Sequence, residues 1–145
     1  MIGLLQRVSR ASVTIDGESI AQIDSGLCVF VGVVRGDAKP NAKRLADRVA
    51  AYRLFSDPSG RMSQSVVDIG SDILAVPQFT LAANTSRGNR AGFGTAAEPK
   101  LARTLFDEFV AQMKNQVTKV AIGRFGADMQ VELINDGPVT FWIDG

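Results

Sequence analysis

The stretch Asn135-Asp136-Gly137-Pro138-Val139-Thr140 puts a Gly-Pro pair between two segments that read as strands. Proline fixes its own φ and donates no ladder hydrogen bond. Glycine reaches backbone angles closed to other residues, and a bond preceding proline is one of the few where a cis peptide costs little. Such a dipeptide can hold two carbonyl oxygens in a fixed direction, which suits a binding surface made of backbone. A tight turn between two strands is the alternative reading. A second candidate is the loop 84–95, where Gly88, Gly92 and Gly94 accompany Arg87 and Arg90. It reads either as a phosphate cradle of backbone N–H groups and guanidinium forks or as a surface loop. It does not match the Walker pattern. Arg7, Arg10 and Arg35 extend a basic surface or stand solvated. Thr80 and the serines are nucleophiles by type, while Asp128, Glu132 and Asp136 show no metal-ligand spacing and read as turn or face residues.

Absences narrow the chemistry further. The chain contains no histidine. That removes Ser-His-Asp and Cys-His nucleophile schemes, His-ligated zinc sites and the commonest general base. Thr80 therefore has nothing to activate it and reads as a hydrogen-bonding residue. The single cysteine, Cys28, sits in the apolar run Leu27–Val31 and reads as a small buried hydrophobe. No intramolecular disulfide can form, which suits a reducing compartment. A net charge of +1 creates no global field for a polyanion, so any nucleic-acid contact must be a local patch. The first residues lack the charged-then-apolar pattern of a signal peptide, and no apolar run approaches membrane-spanning length. A cytoplasmic protein with no membrane partner is expected.

The elements that would position these residues fit one domain over residues 1–145, with ordinary globular fractions of 46% apolar and 21% charged residues. Residues 1–8 and Ala11–Ile15 read as strand, Asp16-Gly17 as a hairpin turn and Ile20–Ile23 as the return. Leu27–Val34 and Ile73–Val76 are continuous apolar runs, as in strands buried on both faces; the second runs on through Pro77-Gln78-Phe79-Thr80-Leu81. Pro40 breaks the chain before a helix over Ala42–Phe55, with Leu45, Val49 and Tyr52 on one face. Ser56–Gly60 is a turn by composition. A second amphipathic helix spans Pro99–Gln116, carrying Leu101, Leu105, Phe109 and Met113. Val117–Ile122, Met129–Ile134 and Val139–Ile143 read as further strands. Two helices cannot cover so many strands in an open sheet. The fold class is α+β, a single domain with a barrel-like or sandwiched β-sheet covered by two main helices.

The motifs now in view carry a family resemblance. Met1–Val8, Ala11–Thr14, Tyr52–Asp57, Gln78–Ala82, Gly123–Val131 and Asn135–Trp142 resemble, in order and over nearly the whole length, the D-aminoacyl-tRNA deacylases, also called D-tyrosyl-tRNA deacylases. The resemblance implies hydrolysis of the ester between a D-amino acid, or glycine, and the 3′ end of tRNA. It implies a homodimer in which Gln78-Phe79-Thr80-Leu81 of one subunit meets the Gly137-Pro138 step of the other. The step would be cis, with carbonyl oxygens that collide with an L side chain, so selection works by rejection. Arg7 matches the arginine that braces the step. Phe125 and Met129 match residues lining the pocket for the terminal adenosine.

One position departs from the family pattern, because Pro77 stands where the motif normally has serine. The change deletes a hydroxyl and a backbone N–H, yet leaves the N–H groups of Phe79 and Thr80 as oxyanion donors. The resemblance also implies that the substrate's own ribose hydroxyl assists hydrolysis, while the protein supplies orientation and electrostatics, which agrees with a chain that has no histidine. No cofactor or metal is implied. Two other readings stand beside this one: a weak RNA-3′-end binding module, suggested by Pro77, and an editing domain that prefers achiral or L substrates.

Overall fold

The computed structural model describes residues 1–86 and 88–145. Strand β1 (Ile2–Ile15) is its spine. It turns at Asp16 and Gly17, whose φ values of 52° and 82° give the paired left-handed residues of a tight hairpin. Strands β2 (Glu18–Ile23) and β3 (Gly26–Gly32) then run back along one edge of β1 in succession, pairing with residues 11–15 and 2–8. Helix α1 (Lys39–Ala51) follows. Pro40 lies inside its first turn rather than before it, where a missing N–H costs nothing. The helix ends at Ala51, earlier than the apolar spacing through Phe55 suggests, because Phe55 and Ser56 (β4) pair with Met62–Gln64 (β5). In the intervening turn the Asp57 carboxylate accepts from the Ser59 hydroxyl at 2.5 Å, the Ser63 hydroxyl at 2.6 Å and the Arg61 N–H at 3.1 Å. Those bonds, the Ser59 hydroxyl first, hold its pKa down from 3.8 to about 2.

Strand β6 (Asp72–Pro77) lies parallel to β3, and β7 (Val120–Ile122) lies parallel to β6. Helix α2 (Pro99–Lys114) precedes β7 and packs on α1. Strand β8 (Gln130–Asp144) covers the free edge of β1 along nearly its whole length. The result is a nearly closed, barrel-like six-stranded sheet with two helices.

The continuous apolar runs bury both faces, as their composition requires. On one side Leu27, Val29, Ile73 and Ala75 pack against Leu45, Val49, Phe106 and Phe109 of the helices. On the other, Cys28, Leu74 and Val76 join Val8, Val13 and Ile23 inside the curved sheet. Burial there pushes the Cys28 thiol up to about 12. Leu101 is the exception on α2: it is 41% exposed, and the buried stripe runs through Ala102, Leu105, Phe106, Phe109, Val110 and Met113. No described helix is long and apolar enough to cross a membrane.

Candidate active site

The ladder between β1 and β8 contains an interruption at the Gly-Pro pair. Gln6 is opposite Thr140 and Val8 is opposite Asn135, so Asp136, Gly137, Pro138 and Val139 bulge out against Arg7 alone. The Gly137-Pro138 bond is cis and both residues are exposed. Asn135 closes the base of the bulge: its Oδ1 accepts from Val139 N–H at 2.8 Å and its Nδ2 donates to Val139 O at 3.0 Å. Arg7 lies across the bulge, its side chain only 14% exposed. Its Nε donates to Asp136 O at 2.9 Å and its Nη1 to Leu54 O at 2.8 Å. Nε also lies 3.3 Å from the Asp136 carboxylate. Asp136 thus supplies Arg7 with a charge partner as well as a backbone acceptor, beyond the turn role its sequence position suggests.

The second group of residues forms at the end of β6. The strand does not continue through Leu81; Phe79–Ala82 is a 3-10 helix, a correction to the extended reading. Gln78 N–H makes the last bond to β3, donating to Val31 O at 2.8 Å. The chain then folds over Gly32, where an added Cβ would lie 2.9 Å from the Leu81 Cβ and 3.3 Å from Gln78 O. Only a residue without a side chain admits that approach. The Phe79 and Thr80 N–H groups open the short helix and meet no acceptor among the described residues. Gln78 Nε2 donates to Thr80 Oγ1 at 2.6 Å.

Beside this helix lies a largely apolar cavity of about 430 Å³, lined among others by Pro77, Phe79, Phe93 and Phe125. Phe79 and Phe93 are 5.1 Å apart between ring centroids. Arg103 sits 5.2 Å from the Phe125 ring centroid and donates to the Phe125 carbonyl at 3.3 Å, fixing that wall from α2. Met129 does not line the cavity. Its sulfur accepts from Arg124 N–H at 3.3 Å, and the side chain packs against the core inside the sheet.

The fold therefore makes two groups of the sequence-selected residues. Arg7, Gly137 and Pro138 form one, while Gln78, Phe79, Thr80 and Phe125 form the other, with Met129 behind it. No hydrogen bond joins the two groups among the described residues. Sequence reading missed Asn135, the Leu54 carbonyl, Phe93 and Arg103. Of these only Asn135 leaves a trace, as a side chain that bonds backbone locally four residues before Val139. In the loop 84–95, Asn84 and Gly92 bridge, and the Thr95 hydroxyl donates to Ala82 O. Arg87 lies outside the described residues. Glu132 pairs with Arg10 at 2.9 Å, and no three His, Cys, Asp or Glu side chains converge among the described residues.

Residues 4–144 match the model of the D-Tyr-tRNA(Tyr) deacylase family. A D-aminoacyl-tRNA deacylase of Thioalkalivibrio sulfidiphilus is 54% identical over 144 residues, covering 99% of this chain and 97% of the relative. One from Dichelobacter nodosus is 52% identical, covering 99% of each. The solved structure titled c-Myc DNA Unwinding Element Binding Protein superposes with a TM-score of 0.95 at 36% identity, over 100% of this chain and 99% of that one. A probable eukaryotic D-amino acid tRNA deacylase has the same fold, with a TM-score of 0.84 at 16% identity over 99% and 98% of the two chains.

Proposed function

We propose that this chain, which belongs to the D-Tyr-tRNA(Tyr) deacylase family, hydrolyses the ester that joins a D-amino acid to the 3′ end of tRNA. Full-length similarity to the two bacterial deacylases carries the reaction class. Glycine esters fall within the same reach, since glycine has no side chain for the site to reject. The activity places the protein in the cytoplasm, where aminoacyl-tRNA is made and used.

The chain's own residues divide the work. Phe125, with Met129 behind it, holds the terminal adenosine, whose base stacks on the aromatic wall. Gln78 and Thr80 position the ester, and the N–H groups of Phe79 and Thr80 receive the charge that develops on its carbonyl oxygen. The ribose hydroxyl of the substrate assists the attack, so no strong protein base is required. Gly137 and Pro138 turn away L side chains by backbone contact, and Arg7 holds their loop in place. The observation that supports this role for Arg7 is its pair of bonds to Asp136 O and Leu54 O, which ties the loop to the segment after α1. Because the two groups of site residues lie apart in one chain, a homodimer completes each site, the partner inserting its Gly-Pro loop.

Deacylation of matched D-Tyr-, L-Tyr- and Gly-tRNA at catalytic enzyme concentration tests the reading. Multiple turnovers on the D and glycyl esters, with the L ester intact, are expected. Binding without turnover would instead indicate an RNA-3′-end binding module, and hydrolysis of L-Tyr-tRNA would indicate a different editing substrate.

A further inference from the structure

Arg35 has no part in the ester chemistry above, yet it lines the same cavity. It follows β3 on a segment stitched to the outer wall. Val34 bridges Ala96, and Arg35 N–H donates to Thr95 O at 2.8 Å. The backbone beneath the side chain is therefore held beside Phe93. The exposed Arg35 guanidinium makes no hydrogen bond or ion pair among the described residues, as is also true of Arg44, Arg53, Arg61, Arg90 and Arg124, and what sets it apart from these is its place at the cavity. It is the cavity's sole cationic side chain among the described residues. Glu98 also lines the cavity and makes no ion pair with Arg35 within 4.0 Å, so the two charges remain available to a ligand.

Aromatic faces, one carboxylate and one free guanidinium form a set with a definite complement. A nucleotide offers a π-face to stack on Phe79, Phe93 or Phe125, ring amino donors for a carboxylate, and a phosphate for the guanidinium fork. An uncharged aromatic ligand leaves Arg35 unused, and a bare anion leaves the aromatic wall unused.

We propose that Arg35 binds the phosphodiester immediately 5′ of the terminal adenosine, so that the cavity grips the last internucleotide linkage of an RNA 3′ end as well as its final base. The inference rests on the reading that the cavity takes the adenosine of an aminoacyl ester. Arg35 acts on affinity for the RNA end and takes no part in bond cleavage.

The test compares two substrates, D-Tyr-tRNA and 3′-O-D-tyrosyl-adenosine, which lacks that phosphodiester. R35Q is expected to raise KM for D-Tyr-tRNA about tenfold more than it raises KM for the adenosine ester, with kcat for tRNA changed less than about twofold. Loss of one phosphate contact is also expected to flatten the slope of log(kcat/KM) against log[salt] for tRNA by about one unit. R35K keeps the charge without the planar fork and is expected to recover part of the affinity and most of the slope. Equal losses on the two substrates, or a salt slope that R35Q leaves unchanged, would overturn the phosphate contact. If the parent protein hydrolyses neither substrate, the ester reading beneath it fails instead.

Discussion

Arg7 joins two parts of the chain that are far apart in sequence, and its worth is geometric. One donor reaches Leu54 O and another reaches Asp136 O beside the Gly-Pro step. Charge-assisted bonds to carbonyls are stronger than neutral ones, and a planar fork holds both in fixed directions from separate nitrogens, whereas an ammonium's donors all radiate from one freely rotating nitrogen. Arg7→Ala is expected to weaken rejection of L-Tyr-tRNA about tenfold, at a stability cost of about 1–3 kcal/mol for the lost bonds. Rates on matched D and L esters, with urea denaturation alongside, measure both; an unaltered D/L ratio would remove the bracing role. Thr80 makes the opposite case. Its hydroxyl lies 2.6 Å from the Gln78 amide nitrogen, a donor that cannot take a proton from it. Thr80→Ala is expected to keep kcat within about tenfold of the parent, a small loss beside that from removing a true nucleophile. An aminoacyl ester trapped on Thr80 and seen by mass spectrometry would overturn this.

The strands buried on both faces were legible at the level of elements, because Leu27–Val31 and Ile73–Val76 have no polar alternation to place a solvent face. So was α2, from its i+4 apolar spacing. The 3-10 helix after Pro77 was not legible. Gln78-Phe79-Thr80-Leu81 has the β-branched and aromatic content of a strand, and what bends it is tertiary: Gly32, on a strand far upstream, leaves the gap that Leu81 fills. The β4–β5 hairpin was missed for another reason, since strands of two and three residues carry no measurable period. The Gly32 contact yields a prediction at this scale. Gly32→Ala puts a methyl 2.9 Å from the Leu81 Cβ, an atom with no rotamer freedom of its own. The 3-10 helix has to move, carrying the Phe79 and Thr80 N–H groups with it. Overpacking of this kind costs about 1–3 kcal/mol. Activity is expected to fall more than that stability loss alone explains, at temperatures where the variant is still folded. A variant that is destabilised yet fully active per folded molecule would show that the helix has no role in positioning the ester.

At the scale of the whole molecule, the sequence motifs selected the residues of two candidate regions but could not show that one chain keeps them apart. Strand register separates them, since Arg7 is opposite Leu27 near the start of β3 while Gln78 bonds Val31 and its segment folds over Gly32 at the other end of that strand. Large apolar side chains remain exposed near both regions, Phe79 at 59% and Trp142 at 52%. The two-fold dimer proposed above would reconcile these observations, since an isologous interface can bring the first region of each subunit to the second region of the other. The expected mass by light scattering at micromolar concentration is therefore twice the 15.5 kDa of the chain. Complementation tests the sharing of sites more sharply than mass does. Gly137→Val blocks the bulge, because even a Cβ there lies 2.2 Å from Val139 N, and Phe79→Pro deletes an N–H donor at the ester. Each variant alone is expected to be inactive. After unfolding and refolding together, half of the dimers are mixed, and one of the two sites in each mixed dimer carries neither substitution. Activity should then return to about a quarter of the parent value, by the counting that two-fold symmetry imposes. If each site lay within a single subunit, every site in the mixture would retain one defect and no activity would return.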